Sequence, residues 1–390
     1  MGPATPSARH RYMTWARSVT GAMVVCGMFA ACSGGPPAET RSAEAFAGPF
    51  EGCPGAGVAH DVLNAFWSEV DRSYAVFDFR LKGQSWDDVG RGACAAISDT
   101  TSSAGLLDVI VGMARVLDDG HIQVTAPDLG RRETGWATGY EWGPLMDSLA
   151  GNIEKHYLDG PPERAGNGHF SWGRIGSIGY LNLGDFEELS ESGDEDADTD
   201  VARAAMERAV GDLRGVEGIV VDIRNNEGGW DNVGLEVAHW FAGPRALTYS
   251  KTRRDGPAHD DFGPWEDVWV EASPEEGFDM PVVVLISGWT FSAAETFALS
   301  MRVRSNVTLL GERTSGHFSD LEPATLPNGW RYTYSSERYR AADGVIYEAR
   351  GVPIDVPLDF DPRALAAGRD NMLEAALALL TARRAQAIPS

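Results

Sequence analysis

Ser292 has the residue type and the place in the chain from which a hydroxyl can act as a nucleophile. Before it runs Val282-Val283-Val284-Leu285-Ile286, an unbroken aliphatic stretch of the kind that forms a strand buried on both faces. After it comes Ala293-Ala294-Glu295-Thr296-Phe297-Ala298-Leu299, whose apolar spacing reads as a helix. A serine at such a junction projects from a helix N-terminus, where main-chain N–H groups and the helix dipole favour a developing oxyanion. The same residues admit a plainer reading. Ser292 with Glu295 three places on spells S-x-x-E, the capping box that simply starts a helix.

A second segment, Ile219-Val220-Val221-Asp222-Ile223-Arg224-Asn225-Asn226-Glu227-Gly228-Gly229, is another apolar strand, and it ends in a glycine pair. Glycines there permit backbone geometry closed to other residues and let an N–H approach an oxyanion. A serine hydroxyl also needs a base of near-neutral pKa, for which histidine is the natural side chain. The histidines and the four cysteines show neither H-E-x-x-H nor paired C-x-x-C spacing, so no metal and no cofactor is expected.

The elements that must position these residues fall into two kinds. From Val58 to about Leu117 apolar residues recur at helical spacing, as in Val62, Phe66 and Val70 and later Leu106, Ile110 and Met113. From Gly176 onward short β-runs alternate with helices. The spacing predicts strands over 178–183, 218–222, 281–287 and 307–310, and helices over 198–213, 233–241, 292–303 and 370–384, the last capped by Asp370. Such alternation implies α/β units with parallel pairing. The stretch 249–279 interrupts it as loops or an added hairpin. No internal repeat is found.

A net charge of −24 argues against nucleic acid, which needs clustered Lys and Arg. At the N-terminus, Arg9, Arg11 and Arg17 precede a small-residue and apolar stretch that ends in Phe29-Ala30-Ala31-Cys32. This resembles a bacterial lipobox. It implies a signal peptide over 1–31, a lipid anchor at Cys32 that ties the chain to a membrane, and a flexible tether over 32–48; the rival is a plain signal peptide with an incidental cysteine. Cys53 and Cys94 then remain, either as a disulfide in an oxidising compartment or as two small buried thiols.

Four segments taken together carry a further resemblance: D-I-R-N-N-E-G-G at 222–229, T-F-S-A-A-E at 290–295, G-E-R-T-S-G at 311–316 and G-V-P-I-D-V at 351–356. In this order they are similar to the core of the tail-specific or C-terminal processing peptidases, family S41. The resemblance implies an α/β core of the crotonase-like type over 121–390, preceded by a small helical domain over 49–120. It also implies a serine-type peptidase that cleaves unfolded protein tails or short peptides through an acyl-enzyme, outside the cytoplasm.

One branch of that family pairs its serine with a lysine about 25 residues on, in a T-F-G-K-like segment, but position 317 here is histidine. The other, tricorn-core-like branch uses serine, histidine and glutamate. On that pattern the resemblance assigns Ser292 as nucleophile, His121 of the D-G-H segment as base and then acid, and Glu348 as the orienting or supporting carboxylate. The oxyanion would be held by Ala293 and by Gly228 or Gly229, and His317 is the alternative base. Gly120 departs from the tricorn type, which has a serine there. Too few residues separate His121 from Gly176 for a PDZ domain. Two other functions fit the same fold: a non-catalytic binding protein for an apolar ligand, and an esterase using the same serine. Trp136, Tyr140, Trp142, Trp172, Trp265 and Trp269 are candidate pocket lining, with core packing the plainer reading.

Overall fold

A computed structural model describes residues 49–387. The signal peptide, the tether and Cys32 lie outside the described residues. The chain begins with four helices, α1 (Val58–Ser73), α2 (Phe77–Arg80), α3 (Trp86–Ala95) and α4 (Ser103–Leu117). Val62, Phe66 and Val70 of α1 and Leu106, Ile110 and Met113 of α4 face one core, as their spacing requires. Ser102 caps α4 by accepting from the N–H of Gly105 at 3.2 Å. Cys53 and Cys94 are joined by a disulfide that ties the start of this segment to the end of α3.

Next come β1 (Gln123–Ala126), β2 (Arg131–Thr134), α5 (Gly143–Met146), α6 (Leu149–His156), β3 (Glu163–Ala165), β4 (Phe170–Ile175) and β5 (Ile178–Leu183). The alternating half continues with α7 (Glu195–Asp212), β6 (Gly218–Asp222), α8 (Asp231–His239), β7 (Ala246–Arg253), β8 (Glu266–Val270), β9 (Val282–Ile286), α9 (Ala293–Arg302) and β10 (Val307–Gly311). The chain closes with β11 (Leu321–Thr325), β12 (Arg331–Ser335), β13 (Glu337–Ala341), β14 (Val356–Pro357), α10 (Pro362–Ala366) and α11 (Asn371–Ala387).

A seven-stranded sheet, in the order β14-β10-β9-β6-β5-β4-β3, forms the centre. Its strands from β14 to β5 run parallel, and β4 and β3 run antiparallel. Val282, Val284 and Ile286 of β9 enter one core with α8 and α9, while Val283 and Leu285 enter another with Leu373, Ala376 and Leu380 of α11. Both faces are therefore covered, which is why the strand reads as an unbroken aliphatic run.

A four-stranded sheet, β11-β12-β1-β2, completes the helical segment, since Trp330, Tyr332 and Tyr334 share the core of α1 and α4. The 249–279 stretch takes the hairpin alternative: β7 and β8 pair antiparallel, and β13 adds on the far edge of β7.

The carboxyl ends of β6, β9 and β10 lie side by side and release the loops 223–230, 287–292 and 312–318, where open α/β sheets place their ligands. A buried ion cluster anchors this edge. Arg224 donates to both oxygens of Asp222 at 2.9 and 2.6 Å and to both oxygens of Asp370 at 2.9 and 2.7 Å. Asp370 also caps α11 through the N–H groups of Met372 and Leu373. Replacing Arg224→Met strands two buried carboxylates, and on the order of 3–5 kcal/mol of stability should be lost in urea unfolding. A loss below about 1 kcal/mol would show that the cluster does not hold this edge.

Candidate active site

Ser292 sits between β9 and α9 with φ 54° and ψ −123°, a conformation that costs a non-glycine residue about 1–3 kcal/mol. Its side chain makes no capping bond, and Glu295 does not reach back to it. The capping-box reading is thereby overturned. Glu295 instead turns to the 314–317 loop, accepting from Thr314 Oγ1 at 2.6 Å, Ser315 Oγ at 2.9 Å and the N–H groups of Gly316 and His317 at 2.8 and 2.7 Å. Burial raises the Glu295 carboxyl to about 7 despite these four donors.

Neighbouring loops clamp the strained turn. The N–H of Ser292 donates to the carbonyl of His317 at 3.1 Å, that of Phe291 to Asn226 at 3.1 Å, and that of Ser315 to Thr290 at 3.0 Å. Gly228 packs directly against the serine, so close that a Cβ on it would stand 2.7 Å from Ser292 Cβ. Only glycine fits there, and its φ of 113° is also a conformation that L side chains rarely adopt. The N–H of Gly228 donates to Asn226 Oδ1 at 2.7 Å. The N–H groups of Gly229 and Ala293 make no hydrogen bond among the described residues.

His121 follows α4 and is buried at 1% exposure. Its Nδ1 lies 3.4 Å from Ser335 Oγ and 3.7 Å from Asp119 Oδ1, and Ser335 Oγ in turn donates to Asp119 Oδ2 at 2.7 Å. Asp119 also accepts from Tyr74 Oη at 2.8 Å and from the backbone N–H of His121 at 2.9 Å. Such a chain places the ring proton on Nδ1 and leaves Nε2 as an acceptor. Nε2 is buried with no hydrogen-bond partner, and both nitrogens of His317 are in the same condition. The Nε2 to Ser292 Oγ hydrogen bond is not formed. Phe291 lies against both rings, edge-on to His121 and stacked on His317, each at 4.7 Å between centroids.

Burial pushes the His121 imidazole down to about 4, against the pull of Asp119. His317 is driven well below its ordinary value, first by burial and then by Arg80. Burial alone would raise Asp119, but Arg80 and the Ser335 hydroxyl offset it and hold the carboxyl below its usual range. Gly120 has no room for the serine of the tricorn type, because a Cβ there would lie 2.8 Å from the Phe291 ring.

Glu348 is buried but does not touch His121. Its oxygens accept from Arg80 Nε at 2.9 Å, Arg80 Nη2 at 2.5 Å and the N–H of Phe318 at 3.1 Å. Arg80 and the Phe318 N–H are its partners, and the carboxylate beside the imidazole is Asp119. Asp119 was legible as the acid two places before His121, but nothing local in the sequence brings Arg80, Tyr74 or Ser335 to the same place.

Ser292 and Gly229 open onto a cavity of about 260 Å³ that is also lined by Glu187, Asp231, Lys251 and Asp320. Burial and the neighbouring Asp185 raise Glu187 to about 9, while burial and Asp320 raise Asp231 to about 6. Lys251 is held by Asp320 at 3.0 Å and Glu337 at 3.1 Å. None of the six candidate aromatics lines this cavity, whose aromatic residues are Trp230 and Tyr249: Trp172 is core, and Trp265 and Trp269 lie under Arg340 and Arg245. Trp136 instead packs on Trp289 and His317, beside the site rather than in the cavity. Among the described residues no group of three or more acidic, histidine or cysteine side chains could hold a metal.

Comparison with known proteins places this arrangement. The sequence model of peptidase family S41 matches residues 177–358, which contain all three loops at the carboxyl edge of the sheet. A carboxyl-terminal-processing protease of Synechocystis is 29% identical over 140 residues, 36% of this chain and 28% of that protein. A chloroplastic C-terminal processing peptidase of Tetradesmus obliquus is 28% identical over 47% of this chain and 35% of its own length. The chain thus spans about a third of the length of these curated relatives. The crystal structure of a candidate peptidase from Parabacteroides merdae superposes with a TM-score of 0.74 at 26% identity, covering 86% of this chain and 100% of that one. The family match, the processing-protease relatives and the shared α/β architecture agree, and residues 177–358 carry the core of peptidase family S41.

Proposed function

We propose that the protein is a serine peptidase that cleaves protein tails or short peptides through an acyl-enzyme on Ser292. The single observation that carries the reading is the clamped, strained turn that holds Ser292 against Gly228, with two unspent N–H groups beside it. The family match, and relatives that process carboxyl termini, support the peptide as substrate. The cavity wall mixes Glu187, Asp231, Lys251 and Asp320 with Trp230, Leu235 and Val268, and the buried charged groups favour a ligand with a polar main chain over a wholly apolar one.

In this reading His121 Nε2 takes the Ser292 Oγ proton as the oxygen attacks the carbonyl carbon, a step for which the two must close to hydrogen-bond distance on substrate binding. The tetrahedral oxyanion is held by the N–H groups of Ala293 and Gly229, since that of Gly228 is spent on Asn226. Its collapse releases the amine, protonated by the imidazolium, and water then hydrolyses the acyl ester by the same route. Asp119 and Ser335 hold the imidazole in the Nδ1–H tautomer. Ser335 supplies from β12 the hydroxyl that the tricorn type carries before its histidine. His317 holds the turn through its backbone carbonyl rather than acting as base.

We also propose export and a lipid anchor at Cys32. The arginines and lipobox-like run before it support this, as does the Cys53–Cys94 disulfide, a bond that persists in oxidising compartments.

Four outcomes are expected. A fluorophosphonate probe should label the protein on Ser292 and leave Ser292→Ala unlabelled; wild-type protein that neither reacts nor cleaves any member of a mixed peptide library contradicts the hydrolase reading. Asp119→Asn should cut kcat by about 10²–10⁴ and His121→Ala by at least as much, with His317→Ala retaining far more activity. Because the imidazole is held near 4, kcat/KM should climb from low pH through about 4 and level off well before 6.5, whereas a midpoint near 6.5 would contradict the buried, neutral base. Finally, cells fed a labelled fatty acid should acylate the full-length chain and fail to acylate Cys32→Ala; equal labelling of both would remove the anchor.

A further inference from the structure

Arg80, the last residue of α2, is buried at 4% exposure and spends its guanidinium on three separate segments. Nη1 donates to the carbonyl of Asp118 at 2.6 Å, Nη2 to the carbonyl of Gly316 at 2.5 Å, and Nε and Nη2 to Glu348 Oε1. Asp118 lies three residues before His121. Gly316 precedes His317, whose carbonyl fixes the Ser292 backbone. Glu348 Oε2 receives the N–H of Phe318, on the other side of that histidine. One planar cation thus ties the chain carrying the base to the chain clamping the nucleophile, across sequence separations of 236 and 268 residues.

Its charge acts on the same groups. Arg80 opposes protonation of both His121 and His317 and stabilises the ionised Asp119. The other groups around the His121 ring are Asp119 on its own segment, Ser335 from β12, and His317 across Phe291. Asp320 pulls on the imidazole from the far side, and Tyr74 faces Asp119. Arg80 is the permanent cation among them.

We propose that Arg80 is a positioning residue for the catalytic base: its fork sets the spacing between the His121 and Gly316–His317 segments, and its charge disfavours a second cation at His121. The inference rests on the proposed chemistry of Ser292 and His121. It assigns the helical segment a part in the reaction, because an S41 core without α2 would lack this cation.

The test compares wild type, Arg80→Lys and the double variant Arg80→Met/Glu348→Gln, which removes the ion pair as a unit and leaves Asp119 to its hydrogen bonds from Tyr74 and Ser335. Two readouts are taken against pH: the second-order rate of fluorophosphonate labelling at Ser292, and the titration of the His121 ring by NMR. The lysine keeps the charge and loses the fork, so its labelling rate should fall at least about tenfold while the acid limb stays in place. The double variant should shift both the His121 titration and the acid limb upward together, by at least about one pH unit. A lysine variant that labels at the wild-type rate, or a double variant whose His121 titrates as in wild type, overturns the proposal. Wild-type protein that fails to label counts against the peptidase reading itself, and the NMR titration then still decides the electrostatic role of Arg80.

Discussion

The site depends on one backbone constraint: Ser292 must hold a positive φ that its own side chain disfavours. Nothing local supplies that energy, because the serine makes no capping bond. The cost is met by hydrogen bonds from other strand ends, with Asn226 after β6 and His317 after β10 accepting from the turn on either side. Parallel pairing of β6, β9 and β10 brings those ends together, so the sheet order is a condition of the chemistry. Glu295 completes the clamp, since four donors from a single loop converge on its carboxylate.

Electrostatics around His121 follow the same logic of remote parts meeting at one place. A buried imidazole beside a carboxylate that is already ionised has a defined tautomer and a free lone pair, which is what a proton acceptor requires. Asp119 stays charged because Arg80 and the Ser335 hydroxyl offset the cost of its burial. The pairing of Arg80 with Glu348 then keeps the cation itself from being an orphan in the interior.

Much of the core was legible from local pattern. The aliphatic runs of β6 and β9 announced strands covered on both faces, and Asp370 was readable as the cap of α11. The glycine pair and the serine junction stood out for the same reason: backbone demands leave a trace in residue type. Glu295 shows the limit of such reading. In sequence it completes a capping box, yet tertiary donors outcompete the local bond. Glu348 was assigned as an orienting or supporting carboxylate; it lies on Arg80, and Asp119 and Ser335 are the groups beside the imidazole. Ser335 lies 214 residues from His121, and Arg80 meets Glu348 across 268, and no periodicity encodes such meetings.

The account is tested most directly by a crystal structure of the phosphonyl adduct formed with a fluorophosphonate. It predicts phosphorus bonded to Ser292 Oγ, the phosphoryl oxygen within hydrogen-bond distance of the Ala293 and Gly229 N–H groups, and His121 Nε2 closed onto Oγ with Asp119 and Ser335 still behind the ring. An adduct on another residue, or one in which His317 rather than His121 faces Oγ, would contradict it.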